Sequence, residues 1–192
     1  MIVPLTKNNI AVLTPTQWHL IENQLNGDYK IRGDFLLQTA MRISEAFYVT
    51  RHPECFREDH GAIFLPEVKG DEKFGKIRSK QKERAVLLSP KGIKAVNLFF
   101  EKNVGLPSYQ AMDMVFKRAG KAADFDIRYI TTKMCRKTFI SWGINAFPEL
   151  KGKFAASAGH STETMDGYYL AYGFKKEDIK DMRVEQAGWG EA

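Results

Sequence analysis

Apolar residues recur at three- and four-residue intervals through most of this chain, a period that predicts helices. In Thr14-Pro15-Thr16-Gln17 a cap, a proline for the first turn and a reciprocal capping partner precede Trp18, Ile21 and Leu25 at helical spacing, which predicts a helix near 15–25. Phe35, Leu36, Leu37 and Ala40 lead into Ile43, Phe47 and Tyr48, one or two buried helices interrupted near Arg42. Ser89-Pro90 repeats the cap-and-proline signature and opens a helix to about residue 100. Helical spacing returns over 108–118, 131–144, 149–156, 162–172 and 175–184, punctuated by Pro148, Gly159 and Gly173. Two short segments, 62–68 and 84–89, are rich in Ile, Phe, Val and Leu, and the run between them is polar, charged and marked by glycine. They read as two strands joined by a long basic hairpin. The pattern predicts an α+β fold, mainly α, in which many helices surround one small antiparallel sheet. A single domain over 1–192 is expected, with a C-terminal tail helix within 175–192.

Composition narrows the class. With 192 residues, 44% of them hydrophobic, the chain can bury a sizeable core. It contains no run of about 18 apolar residues and no secretory signal pattern, so a cytoplasmic protein with no membrane association is expected. Cys55 and Cys135 are too few for a disulfide framework or a zinc site. Twenty-nine Lys and Arg against 23 Asp and Glu leave a net charge of +6, which suits a polyanion such as DNA.

Four stretches carry candidate chemistry. The first, Thr39-Ala40-Met41-Arg42-Ile43-Ser44-Glu45, sets an arginine in apolar surroundings, where a guanidinium keeps its charge and presents a planar fork to two phosphate oxygens. The second is the basic run Arg78-Ser79-Lys80-Gln81-Lys82-Glu83 before the strand Arg84-Ala85-Val86-Leu87. On the third, Lys133-Met134-Cys135-Arg136-Lys137, the spacing puts Lys133 and Arg136 on one helical face. The fourth, Gly159-His160-Ser161-Thr162-Glu163-Thr164-Met165-Asp166-Gly167-Tyr168-Tyr169, holds a histidine and two adjacent tyrosines.

In order and spacing these stretches resemble the catalytic domain of the tyrosine recombinases, the phage-type integrases and their archaeal and viral relatives, whose boxes read "TGLRISE", a lysine before an Arg-x-Val-x-Leu strand, "HxLRHTFAS" and "LGHSSxxTTxxY". Two departures stand out: Ala40 occupies the usual glycine position, and Lys133 the usual histidine position. The resemblance implies that Arg42, Lys133, Arg136 and His160 bind the nonbridging oxygens of a scissile phosphate and that Glu45 supports the site. Lys80, with Lys76 and Lys82 as alternatives, would protonate the leaving 5′-oxygen. Tyr168 would attack phosphorus to give a 3′-phosphotyrosyl intermediate. Counting nine residues from the histidine gives Tyr169 instead, so both tyrosines stay open. Lys76, Arg78, Lys82, Arg84 and Lys137 are expected DNA contacts.

The implied activity is site-specific recombination and integration of double-stranded DNA by a homo-oligomer, a tetramer on its substrate, with no metal or other cofactor. The family's N-terminal DNA-clamp domain has no counterpart in these residues. Two other readings stand beside it: a noncatalytic DNA-binding module derived from an integrase, and DNA relaxation of the type IB topoisomerase kind. The tail after 175 fits docking on a neighbouring subunit or packing on its own core equally well.

Overall fold

A computed structural model describes residues 1–67, 83–169 and 173–190. Its first element is a hairpin that helical periodicity does not show. Asn8 and Asn9 both lie at positive φ, 53° and 56°, the backbone a two-residue turn needs and one that asparagine tolerates. They join β1 (Leu5–Lys7) to β2 (Ile10–Val12), with Lys7 opposite Ile10.

The helix starts follow their caps. In α1 (Pro15–Glu22) the Gln17 N–H donates to Thr14 Oγ1 while the Thr14 N–H donates to Gln17 Oε1. Its end falls short of Leu25, which is buried just beyond it. The stretch read as one or two helices is two, α2 (Gly27–Thr39) and α3 (Ile43–Val49), because Ala40 turns left-handed at φ 47° and Arg42 is extended. Three short strands form an antiparallel sheet in the order β3 (Phe56–Arg57), β4 (Ala62–Leu65), β5 (Arg84–Leu87). Ile63, Leu65 and Val86 face the core while Phe64 is exposed, the alternation a half-buried sheet requires. Residues 68–82, which contain the expected hairpin tip, lie outside the described residues.

The remaining helices are α4 (Pro90–Glu101), α5 (Tyr109–Ala122), α6 (Lys133–Ala146), α7 (Lys151–Ala158), α8 (Thr162–Tyr168) and α9 (Lys176–Glu185). Ser89 and Ser108 cap α4 and α5 through their hydroxyl oxygens. Helix α6 is the hub: Met134, Cys135, Thr138, Phe139, Ile140 and Trp142 are almost inaccessible, and α2, α7, α9 and β2 pack around it. Two hydrogen bonds fasten the chain after β2 to this helix, from Leu13 N–H to Thr138 Oγ1 (3.1 Å) and from Trp142 Nε1 to Leu13 O (2.7 Å). Helix α2 meets α4 through the stacked rings of Phe35 and Phe99, 4.1 Å apart. Burying one such ring contributes roughly 2–3 kcal/mol.

The C-terminal helix packs on its own chain. Met182 is fully buried, Gln186 Nε2 donates to Phe139 O (2.7 Å), and Trp189 stacks on Phe154 while its Nε1 donates to Leu87 O (3.0 Å). No helix among the described residues is long and apolar enough to cross a membrane.

Candidate active site

The left-handed turn at Ala40 ends α2 and leaves Arg42 at the N-cap of α3. Three residues on, the Glu45 carboxylate accepts the Arg42 backbone N–H and Nη1, each at 2.7 Å. Glu45 is only 3% exposed, and Arg84 from β5 brings Nη2 to 2.7 Å from its second oxygen, an ion pair not aligned as a hydrogen bond. Burial alone would push this carboxyl up; Arg84, Arg136 and Arg42 together outweigh it and hold Glu45 below the ordinary glutamate range. Glu45 is therefore an anion that orients two arginines. The Arg42 side chain is 35% exposed, so its guanidinium faces open space while it is held from behind.

Arg136 lies one helix away. Its Nη1 donates to Ala40 O (2.8 Å) and its Nη2 to Ala158 O (2.6 Å), so α6 is tied to the ends of both α2 and α7. Two of its five N–H donors are used in this way. Lys133 opens α6 and is exposed; the preceding Thr132 is fixed by its N–H and hydroxyl on Asp113. Helix α7 ends at Gly159, where φ is +67° and a β-carbon would lie 3.1–3.2 Å from the Arg84 guanidinium. Both the backbone and the close approach favour glycine there. Arg84 also donates through Nε to Ser157 O (3.0 Å).

His160 follows that glycine and is half-buried. Burial first, then the charges of Arg136, Arg42 and Arg84, push its imidazole down to about 4. At neutral pH it is uncharged, with one N–H donor and one lone pair. Its ring stacks 5.9 Å from Tyr168 and lies edge-on 5.8 Å from Tyr169. Ser161 caps α8, whose last residue is Tyr168; Tyr169 is already extended. The two side chains therefore separate, Tyr168 at 53% exposure and Tyr169 at 3%.

Arg42, Lys133, Arg136, His160, Tyr168 and Tyr169 line one cavity of about 460 Å³. Three separate segments of chain thus bring these residues together. Its wall also includes Asn8 and Ile10 of the first hairpin, residues the sequence reasoning did not single out. Their signal was an Asn-Asn pair between Leu5, Lys7 and Ile10, Val12 at alternate positions. Among the expected DNA contacts, Arg84 is buried against Glu45, and Lys137 is 7% exposed and lines the same cavity. Lys76, Arg78, Lys80 and Lys82 lie outside the described residues. Among the described residues no three His, Cys, Asp or Glu side chains gather as a metal-binding group.

No family model and no curated protein matches this sequence. Helices in this order packed around α6, with a small three-stranded antiparallel sheet beside them, have the fold of a tyrosine recombinase catalytic domain. One solved structure with this fold is that of XerA recombinase, to which the chain is similar with a TM-score of 0.64 at 13% identity. The match covers 93% of this chain and 66% of that one, so the likeness is one of fold.

Proposed function

We propose that this protein breaks and rejoins double-stranded DNA as a tyrosine recombinase, acting in site-specific recombination or integration as a homo-oligomer, a tetramer on DNA. The observation that carries this reading is the convergence of Arg42, Lys133, Arg136, His160 and Tyr168 on one cavity wide enough for a phosphate. Phosphodiester exchange needs a nucleophile, cations on the nonbridging oxygens and a proton for the leaving oxygen. Arg42 and Arg136 present guanidinium forks, Lys133 adds an ammonium, and neutral His160 donates one N–H. The Tyr168 oxygen bonds to phosphorus and releases its proton to water, the bond to the 5′-oxygen breaks, and Lys80 supplies that oxygen with a proton. A 3′-phosphotyrosine remains until a DNA 5′-hydroxyl reverses the step. Losing one clamp arginine should cost about 3–4 kcal/mol of transition-state stabilisation, as for an oxyanion-hole donor.

A second nucleophile stands beside Tyr168, because Tyr169 lines the same cavity. The experiment is covalent trapping on nicked duplexes with a randomised cleavage region, followed by peptide mapping, for wild type, Tyr168→Phe and Tyr169→Phe. The expected result is an adduct at Tyr168, lost in Tyr168→Phe and equally abundant with EDTA. An adduct lost only in Tyr169→Phe moves the nucleophile by one residue. Retarded DNA without any adduct favours a noncatalytic DNA-binding module, and relaxation of supercoiled plasmid without strand exchange favours topoisomerase-like action.

A further inference from the structure

Lys137 follows Arg136 on the hub helix, yet it is 7% exposed. Its ammonium donates to two backbone carbonyls, Lys7 O at 2.7 Å and Tyr168 O at 3.1 Å, and among the described residues it forms no ion pair with a carboxylate. Taking an ammonium out of water without a counter-charge is expensive, and an apolar side chain of similar length would fill the space without that cost. Burial, then Lys7 and Lys133, accordingly push its amine down to about 8.

The two carbonyls show what the bonds accomplish. Tyr168 ends α8, and Tyr169 leaves the helix extended, so the Tyr168 carbonyl is one of the orphan acceptors of a helix end. Lys7 sits in β1 beside the turn at Asn8, a residue that lines the cavity together with Arg42 and Arg136. One side chain therefore connects the hub helix, the first hairpin and the residue proposed to attack phosphorus. A tyrosine tethered only through its own chain would sample many positions at the end of a seven-residue helix.

We propose that Lys137 is a positioning residue, which fixes the backbone of Tyr168 against the first hairpin so that the phenol stands in line with a phosphate held by Arg42 and Arg136. This rests on the recombinase reading above and gives a positioning role to a residue that lines the same cavity but directs its ammonium to two backbone carbonyls.

The test compares wild type, Lys137→Met and Lys137→Gln on the trapped-adduct duplexes, alongside DNA affinity by anisotropy and amide hydrogen exchange over residues 166–169. The expected result is DNA affinity within about twofold of wild type and an adduct rate at saturating DNA lower by between about tenfold and a hundredfold, the scale of a small misplacement of reacting groups. Exchange should be faster in both variants at the end of α8 and unchanged within α6. Replacing the leaving oxygen by a 5′-bridging sulfur should not restore the rate, because that substitution relieves only the need for an acid. Affinity loss with an unchanged saturating rate would make Lys137 a DNA contact and overturn the proposal. So would wild-type rate and exchange in whichever variant folds, while absence of any adduct from wild type would defeat the recombinase reading itself.

Discussion

Arg136 Nη1 donates a 2.8 Å hydrogen bond to the carbonyl of Ala40, a residue held in the left-handed conformation at φ 47°. An L residue pays about 1–2 kcal/mol for that backbone, and the resembling family places glycine at this position. The turn separates α2 from α3 and sets Arg42 two residues away at the cavity edge. Replacing Ala40 by Gly should relieve the strain at the expense of greater freedom in the unfolded chain and a small loss of packing. The expected result is a stability gain of up to about 1 kcal/mol in urea unfolding, with the slope unchanged. A loss larger than that would mean the buried β-carbon matters more than the backbone.

How far the sequence reveals this molecule depends on whether a signal is local. Thr14 and Ser89 announce their helices because each cap acts on atoms three residues away. The first hairpin carries only a faint signal, because three-residue strands on either side of Asn8-Asn9 leave room for a single alternation each. Arg84 and Lys137 resemble surface cations in the sequence; their burial is decided by Glu45, Lys7 and Tyr168, which are distant along the chain. Spacing does not show that α8 ends between Tyr168 and Tyr169, leaving the first side chain exposed and the second buried.

Glu45 joins the site's electrostatics to its stability. It is buried with Arg42 and Arg84 against its two oxygens, and removing one partner of a buried pair strands the other's charge. Glu45→Gln should lower unfolding free energy by roughly 3 kcal/mol at neutral pH, measured by denaturant titration. Because its folded pKa is depressed, the contribution is present above the ordinary glutamate value and is lost as pH falls through the folded one. The difference between wild type and variant should therefore shrink in acid. A constant difference from pH 7 to pH 3 would show that packing, not charge, is responsible.

His160 gives a complementary signature. Its folded pKa of about 4 lies below the ordinary 6.5, so between those values the unfolded chain binds a proton that the folded chain refuses, and stability rises with pH across that window. A phosphate among Arg42, Arg136 and His160 supplies negative charge and should reverse the shift. In a nitrogen-detected histidine titration the free protein should hold His160 neutral down to about pH 4, while duplex-bound Tyr168→Phe should show it titrating at least one unit higher, the scale of a nearby opposite charge. Identical titration with and without DNA would mean that no phosphate reaches this cavity.

Asp34 tests the fold away from the site. It lies on α2, half-buried, and its carboxyl is raised to about 7, first by burial and then by Glu22, against the opposing pull of Lys91, Lys30 and His19. Here the folded state keeps a proton that the unfolded chain gives up above 3.8. The group's most favourable contribution therefore lies below that value and is lost as pH rises through about 7. Asn at this position resembles the protonated acid in shape and cannot ionise. Asp34→Asn should leave the thermal midpoint near that of wild type at about pH 3, where the wild-type carboxyl is largely protonated in both states, and raise it at pH 8, where wild type must either bury a charge among α1, α2 and α4 or hold a proton against the solvent. Calorimetry at the two pH values decides it: an equal shift at both would assign the effect to packing, and a lower midpoint at pH 8 would mean that Lys91 and Lys30 stabilise the carboxylate more than burial penalises it.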